Sequence, residues 1–394
     1  MVFTFDISTS IAVLLLAALA LTAIVALWQW SRARRLEQFA SHDELARDYL
    51  TEDELPSVSV VVYAHNDADC LEQFLPLMLQ QDYPCFEVIV VDDGSYDASR
   101  DIVSDMMPHF PNLRLSFSPD NTRSLSRKKL CLMLGIKAAR NEVTVTTNAN
   151  ARVPSDQWLR LMMRNFTPGT DVVLGYSRYR YSEDRSPGRF YRRYDVVTTA
   201  LQWLTSAIKG KPYRGVSDNL AYRRHLFFEH NGFARNMDLR WGEDDVYVSE
   251  IAHGGNTRLE LSPGSQVQVH YSHVPRAHRL LKLRRDFTTR QLSVSKPFLV
   301  QGLMSTLNSA RLSCLAAAIA LDWSNLFTLA VAAVLLVASW VLVTLPFNRA
   351  CRVLHAPVLF VAVPLFAIWR PVVNLCYRVR GVRTRQANYT SIYD

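Results

Sequence analysis

The run Ile11–Trp30 carries no charged side chain and only Thr22 and Gln29 as polar interruptions. About 20 such residues, at 1.5 Å of rise each, match a hydrocarbon core of ~30 Å. Residues 9–30 are therefore expected to cross a membrane as a helix. A cleaved signal peptide fits less well, because Asp6 is the only charge ahead of the run and the apolar stretch exceeds the usual ~7–15 residues. Arg32, Arg34 and Arg35 follow directly, so the positive-inside rule places the downstream chain in the cytoplasm.

The far end of the chain repeats the pattern. Two further spans are expected, at about 326–347 and 353–369, the second kinked by Pro357 and Pro364. Arg370, Arg378, Arg380, Arg383 and Arg385 would then lie in the cytoplasm, while Arg349 and Arg352 would fall in an outer loop, against the charge rule. Leu312–Leu321 is too short to cross alone and, closed by Asp322, reads as an interfacial helix or as the slanted start of the next span. The expected division is an anchor and linker over 1–55, a globular domain over 56–291 and a membrane region over 292–394.

A formal net charge of +8 would suit nucleic acid, but many of the arginines flank apolar runs, where a membrane protein needs them anyway; no nucleic-acid partner is expected. Six cysteines occur without a CxxC pair, and no HExxH spacing is present. Neither a disulfide framework nor a zinc site is indicated, consistent with a reducing cytoplasm.

Between the apolar ends, strand and helix signals alternate. VSVVVY (58–63), FEVIVV (86–91), LRLSF (113–117) and VTVTT (143–147) are β-branched or apolar runs of buried-strand type. Leu71, Phe74, Leu75, Met78 and Leu79 recur at helical spacing after the first, and a helix from Ser126 precedes the fourth. This order predicts an α/β fold with a mainly parallel sheet between helices. Ligands of such sheets sit beyond the carboxyl ends of the strands. The second strand ends in VDDGSYDAS and the fourth in TTNANARVPSDQW; later come RGVSDNLAYRR and WGEDDVYVSEIA, the last with Glu243, Asp244 and Asp245 at a helix start.

Taken together, SVSVVVYAHND, FLPLMLQQDYPCFEVIVVDDGSYDAS, SRKKLCLMLGIKAA, NLAYRR and GEDD resemble family 2 glycosyltransferases, inverting nucleotide-sugar enzymes of the GT-A fold. The resemblance covers roughly 56–291. It implies a GT-A domain with one N-terminal and two C-terminal transmembrane helices. It also implies a nucleotide-sugar donor, UDP-linked in the commonest case, and a lipid-linked or cell-envelope glycan acceptor. By the same resemblance Asp92, Asp93 and Asp67 bind the nucleoside, and Asp244 is the general base that deprotonates the acceptor hydroxyl, with Asp245 and Glu243 beside it. Asp218 and Asn219 approach the sugar. Lys128 and Arg152, with Arg123, Arg127 and Lys129 nearby, help to neutralise the diphosphate.

Two departures stand out. Where the family carries its DxD metal motif, this chain has Asn148, Ala149 and Asn150. Hard cations such as Mg²⁺ or Mn²⁺ favour charged oxygen ligands, so a metal held here through Asn150 would be weakly bound. In place of the QxxRW motif of polymer synthases, the chain reads Lys282-Leu283-Arg284-Arg285-Asp286. The arginine of that motif, Arg284 or its neighbour Arg285, remains as a contact for acceptor and diphosphate; the aromatic does not. The loop Arg180–Arg193 reads as an acceptor loop near headgroups, followed by an amphipathic helix through Tyr194 and Trp203. Two readings stay open: an active transferase adding a single sugar, or a weakened homologue serving as a scaffold in polysaccharide assembly. A phosphate-loop nucleotide binder is disfavoured, since no GxxxxGK occurs.

Overall fold

The computed structural model describes residues 8–41, 48–118, 126–180, 184–292 and 296–383. Arg123, Arg385, the side chain of Arg383 and residues 181–183 of the 180–193 loop lie outside what is described. The chain divides into two compact units.

The helical unit combines residues 1–41, 187–205 and 295–377. Helix α1 (Thr9–Ser41) is its first element. The α/β unit takes most of the rest, 42–186 and 206–294. It opens with β1 (Val58–Ala64), α2 (Ala68–Leu79), β2 (Phe86–Asp92), α3 (Ser99–Met106) and β3 (Leu113–Phe117). Next come α4 (Arg127–Ala138), β4 (Val143–Asn148), β5 (Ala151–Arg152), α5 (Trp158–Met163), β6 (Val172–Leu174) and β7 (Ser177–Tyr179). Helix α6 (Arg189–Ile208) belongs mostly to the helical unit, and β8 (Leu220–Arg223), α7 (Arg224–Glu229), α8 (Asp245–Ile251), β9 (Thr257–Leu259), β10 (Val267–Val269) and α9 (Val274–Thr289) complete the α/β unit.

The four expected strands form at their expected places. β1, buried along its whole length, pairs in parallel with β2 on one side and β4 on the other. The seven-stranded sheet runs β3-β2-β1-β4-β8-β6-β9, with β8 antiparallel to both neighbours. A small second sheet runs β5-β10-β7. Because the chain leaves β1 first toward β2 and later returns to its other side at β4, a crevice opens beyond their carboxyl ends. Register fixes what lies there: Ala64 is opposite Asp92 and Tyr63 is opposite Asn148. Helix α4 lies close on the sheet at Gly135, where a Cβ would fall 2.4 Å from Val61 Cγ1. A larger residue would lift the helix that carries Lys128.

The helical unit continues with α10 (Lys296–Leu321), α11 (Leu326–Val353) and α12 (Val363–Arg383). Its apolar core joins Ile11, Leu15 and Ala18 of α1 to Leu315 and Ala318 of α10 and to Ala332 and Leu335 of α11. The three alanines are fully buried, as expected where helices approach closely in a membrane. Among the described residues, three helices are long and apolar enough to cross a membrane: α1, α10 over 297–321, and α11. Their number matches the expectation, but the C-terminal pair is drawn differently. Leu312–Leu321 is the second half of a 26-residue helix, not an isolated interfacial stretch. The span expected at 353–369 is broken, because residues 354–362, which include Pro357, are not helical. The globular domain expected over 56–291 is likewise interrupted, since 187–205 pack in the helical unit.

Candidate active site

At the carboxyl end of β2, Asp92 and Asp93 are 1% and 0% exposed. Asp92 accepts from the backbone N–H of Ser95 at 3.2 Å and pairs with Arg100 Nε at 2.6 Å. Asp93 pairs with Arg127 Nε at 2.7 Å and accepts from the Tyr63 hydroxyl at 2.7 Å. Both carboxylates are thus engaged by arginines, and Asp93 presents no open oxygen to a nucleoside. Asp67 lies in the neighbouring β1–α2 turn, where its carboxylate accepts from the His65 N–H at 3.1 Å. Burial pushes the Asp67 carboxyl above its ordinary value.

Lys128, on the first turn of α4, connects this end of the sheet to the acidic motif. Its ammonium lies 5.3 Å from the Tyr63 ring centroid, 3.2 Å from Ser217 Oγ and 3.5 Å from Glu243 Oε1. Arg284 of α9 approaches the same acids, its Nη2 being 3.1 Å from Glu243 Oε1 and 2.5 Å from Asp244 Oδ2. Asp244 caps α8, accepting from the Asp245 N–H at 2.6 Å and from the Ser217 N–H at 3.2 Å. Gly242, at φ 118°, supplies the left-handed turn that leads into this cap. Burial alone would raise the Asp244 carboxyl; the Arg284 guanidinium and the Asp245 N–H outweigh it and hold the group below its ordinary value. Asp245 behaves oppositely. Burial lifts its carboxyl, although Arg214 lies at 2.9 Å and the Thr288 hydroxyl at 2.8 Å. Two adjacent acids with divergent titration are what a site with one ionised base requires.

The expected motif residues separate into those brought together and those turned away. Glu243, Asp244, Lys128, Arg284 and Asp218 converge. Asn219 does not face the crevice: it is fully buried, accepting from Trp158 Nε1 at 3.0 Å and donating to the carbonyls of Tyr176 and Ser265 at 3.0 and 2.8 Å. Its amide ties β8 to the core, so the expected role at the sugar does not hold. Lys129 is also a correction. One residue along a helix from Lys128, it points about 100° away and donates to the carbonyls of Asn236 and, at 3.0 Å, Leu239. Burial lowers its ammonium to about 8. Arg152 is exposed on β5, and Arg285 takes no part in the ion pairs around Glu243.

At the former metal motif, Asn148 Nδ2 donates to Asp218 Oδ1, whose other oxygen accepts from Ser177 Oγ at 3.1 Å. Desolvation raises the Asp218 carboxyl. Asn150 Nδ2 donates to the His270 carbonyl at 2.9 Å. No group of three His, Cys, Asp or Glu side chains suited to a metal occurs among the described residues. Two amides, one of them already hydrogen-bonded to the Asp218 carboxylate, with Lys128 and Arg284 supplying positive charge, do not fit a resident Mg²⁺ or Mn²⁺. Sequence reasoning missed Tyr63, Ser177 and Ser217, for which a lone aromatic or serine gives no signal.

Residues 59–234 match the model of Glycosyl transferase family 2. The chain is 26% identical over 209 residues to glycosyltransferase AglE of Haloferax volcanii, covering 50% of this chain. It is 26% identical over 235 residues to the succinoglycan biosynthesis protein ExoO of Rhizobium meliloti, covering 58%. In both cases the match spans 65% of the relative's length. Among solved structures, the mannosyltransferase PcManGT from Pyrobaculum calidifontis, in complex with GDP-Man and Mn²⁺, superposes with a TM-score of 0.57 at 20% identity, over 92% of this chain and 99% of that one. The converging motifs, the strand order and these matches agree: the α/β unit of this chain belongs to glycosyl transferase family 2 and has the GT-A fold.

Proposed function

We propose that the chain is a membrane-bound inverting glycosyltransferase, moving one sugar from a nucleoside diphospho-sugar to a lipid-linked or cell-envelope glycan acceptor. The observation that carries this reading is the cluster Lys128–Glu243–Arg284–Asp244 beside Tyr63 and Asp93 at the β1–β4 crevice. The acceptor hydroxyl attacks the anomeric carbon, the bond from that carbon to the diphosphate oxygen breaks, and the proton passes to Asp244. The nucleoside lies against the Asp92 side, where half-exposed Arg100 can swing out. Lys128 and Arg284 face the departing diphosphate, so a donor that draws Arg284 toward phosphate oxygens also frees Asp244 and makes it a stronger base. This couples donor binding to base activation. PcManGT is described with Mn²⁺; in the present chain the two cationic side chains take that charge, and no step needs a metal.

For topology, α1 runs outside to inside, the α/β unit is cytoplasmic, α10 returns outward and α11 comes back in. Arg349 and Arg352, at the end of α11, then lie inside, which removes the conflict with the charge rule. The exposed Leu365, Ile368, Trp369, Val372, Leu375 and Val379 share one face of α12, as suits a helix lying in the interface.

The test is a panel of nucleoside diphospho-sugars given to the purified chain with and without chelator, beside Asp244→Asn. Turnover of one donor is expected to survive chelation and to fall on the order of 10²- to 10⁴-fold in the variant. Nucleotide binding without turnover by the wild type would transfer the case to the scaffold reading, which the two asparagines favour.

A further inference from the structure

Between the turn at Ala234–Asn236 and the start of α8, residues 237–244 form neither helix nor strand, yet they end in the acidic motif. The first turn of α4 grips them. Ser126 donates its N–H to the Met237 carbonyl at 3.5 Å and its hydroxyl to the Arg240 carbonyl at 3.0 Å. Lys129, 0% exposed, donates to the carbonyls of Asn236 and, at 3.0 Å, Leu239. Its nitrogen also lies against the left-handed turn, since a Cβ on Gly242 would fall 3.8 Å from it. The Gly242 N–H donates to Glu243 Oε2 at 3.1 Å, and the Gly242 carbonyl accepts from the Tyr247 N–H at 3.1 Å. The backbone that Lys129 holds is therefore the backbone that orients Glu243 and opens α8 at Asp244.

A buried ammonium is costly, and the partners of Lys129 are carbonyls of an irregular segment rather than a carboxylate. An apolar side chain at this position of α4 would avoid that cost. Groups held at a cost to stability gather where function needs them. Lys128, the preceding residue, reaches Glu243 Oε1 at 3.5 Å, so one turn of α4 fixes the motif twice, through the backbone and through a side chain. Asp238 is exposed, and Leu239, Arg240 and Trp241 are half-buried. A segment so placed opens locally unless it is tied down.

We propose that Lys129 is a positioning residue, whose ammonium staples residues 236–242 to α4 and so holds Glu243 and Asp244 in the geometry that the transfer uses. This role rests on the transferase reading above, and Lys129 itself touches no reacting atom. Its charge matters as well as its reach. Burial lowers the ammonium to about 8, against the pull of Glu243, Asp238 and Asp244 and with Arg284 adding to the fall. Below that pH three N–H donors and a full charge face the carbonyls; above it the charge and one donor are gone, and the staple weakens. A carboxylate base is already ionised there, so it contributes no alkaline limb of its own.

Hydrogen–deuterium exchange at neutral pH, read on the peptide spanning 236–242, tests the staple without reference to catalysis. Lys129→Met and, separately, Ser126→Ala are compared with the wild type after melting curves have established that each is folded; Ser126→Ala carries the exchange comparison by itself if the Met variant does not fold. Exchange is expected to quicken about tenfold in Lys129→Met and less in Ser126→Ala. Turnover then tests the positioning. With the donor found for the wild type, Lys129→Met is expected to lower kcat on the order of 10- to 10²-fold and to change the donor KM less than about threefold, as when a base is displaced rather than removed. The fall in wild-type kcat above about pH 8 should disappear in Lys129→Met and persist in Ser126→Ala, which keeps the ammonium. Unchanged exchange in the folded variants would overturn the staple. Faster exchange with wild-type kcat at every pH, or an alkaline limb that survives Lys129→Met, would overturn the positioning role. A wild type that turns over no donor sinks the transferase reading and the positioning role with it, whereas the exchange result then speaks for the staple alone.

Discussion

Each unit contains a cluster of buried charge, and the two are balanced in different ways. In the α/β unit, Lys128 and Arg284 face Glu243 and Asp244, and Arg214 faces Asp245, so each acid has a cation and Glu243 is within reach of two. In the helical unit, Asp195 pairs with Arg370, and Arg311 has no acid partner among the described residues. A redundant network tolerates the loss of one member, because the remaining charges reorganise; a buried pair that loses its main cation does so less readily. The first arrangement suits a site whose charges must change partners during a reaction. The second suits a fixed structural tie.

The largest effect that separates them is expected at the Asp195–Arg370 pair. Arg370→Met removes the guanidinium 2.8 Å from fully buried Asp195, and breaking a buried pair from one side costs about 3–5 kcal/mol. The measurement is thermal or denaturant unfolding in detergent. The double change Arg370→Met with Asp195→Leu should recover most of the loss, since a pair replaced by apolar residues is often neutral. A single variant as stable as the wild type would show that Asp195 is not sealed, and the contrast between the clusters would fail.

How much of this could be read from the chain alone differs between the units. The central strands are legible because strands buried on both faces must be apolar and β-branched along their length, as VSVVVY and FEVIVV are. GEDD and the retained Arg284 are legible because helix caps and family motifs sit at fixed spacings. Helical phase, which separates Lys128 from Lys129, and the inward turn of Asn219 toward Trp158 and Ser265 depend on partners far away in sequence. No local pattern encodes them. In the helical unit, α10 is not legible as a span because it is less apolar than α1 and α11. The polar residues that dilute it include Gln301, Ser305 and Asn308, which line a cleft within the helical unit. Polar side chains turned toward neighbouring helices thus disguise the helix that carries them.

An intermediate effect is expected at the redundant cluster. Arg284→Gln leaves Glu243 with Lys128, so folding should survive, but Asp244 loses the cation that favours its ionised form. Its carboxyl must therefore titrate at higher pH than in the wild type. A general base works only when ionised, so the acid limb of the kcat/KM profile, which reports the free enzyme, should move upward in pH. At neutral pH, loss of a cation facing the departing diphosphate should lower kcat on the order of 10²-fold. An unchanged acid limb together with lowered kcat would mean that Arg284 serves the phosphate alone, and that the proposed link between donor binding and the base does not exist.

The smallest effect concerns Asn148, and it bears on whether the α/β cluster replaces a metal or merely lacks one. Asn148→Asp removes the amide donor to Asp218 and sets two carboxylates side by side, and losing that hydrogen bond costs about 1–3 kcal/mol. Like charges at this spacing raise the affinity of one of the pair for a proton, or for a divalent cation if one is supplied. The variant should therefore melt lower than the wild type in chelator and recover in Mn²⁺, since a ligand bound only by the folded state stabilises it by mass action. The wild type should show no Mn²⁺ response, because Asn148 already satisfies Asp218 and the nearby charge is supplied by Lys128 and Arg284. A wild-type melting temperature that rises with micromolar Mn²⁺ would reverse this, placing a metal where two amides and one carboxylate stand and returning Lys128 and Arg284 to an auxiliary part in diphosphate release.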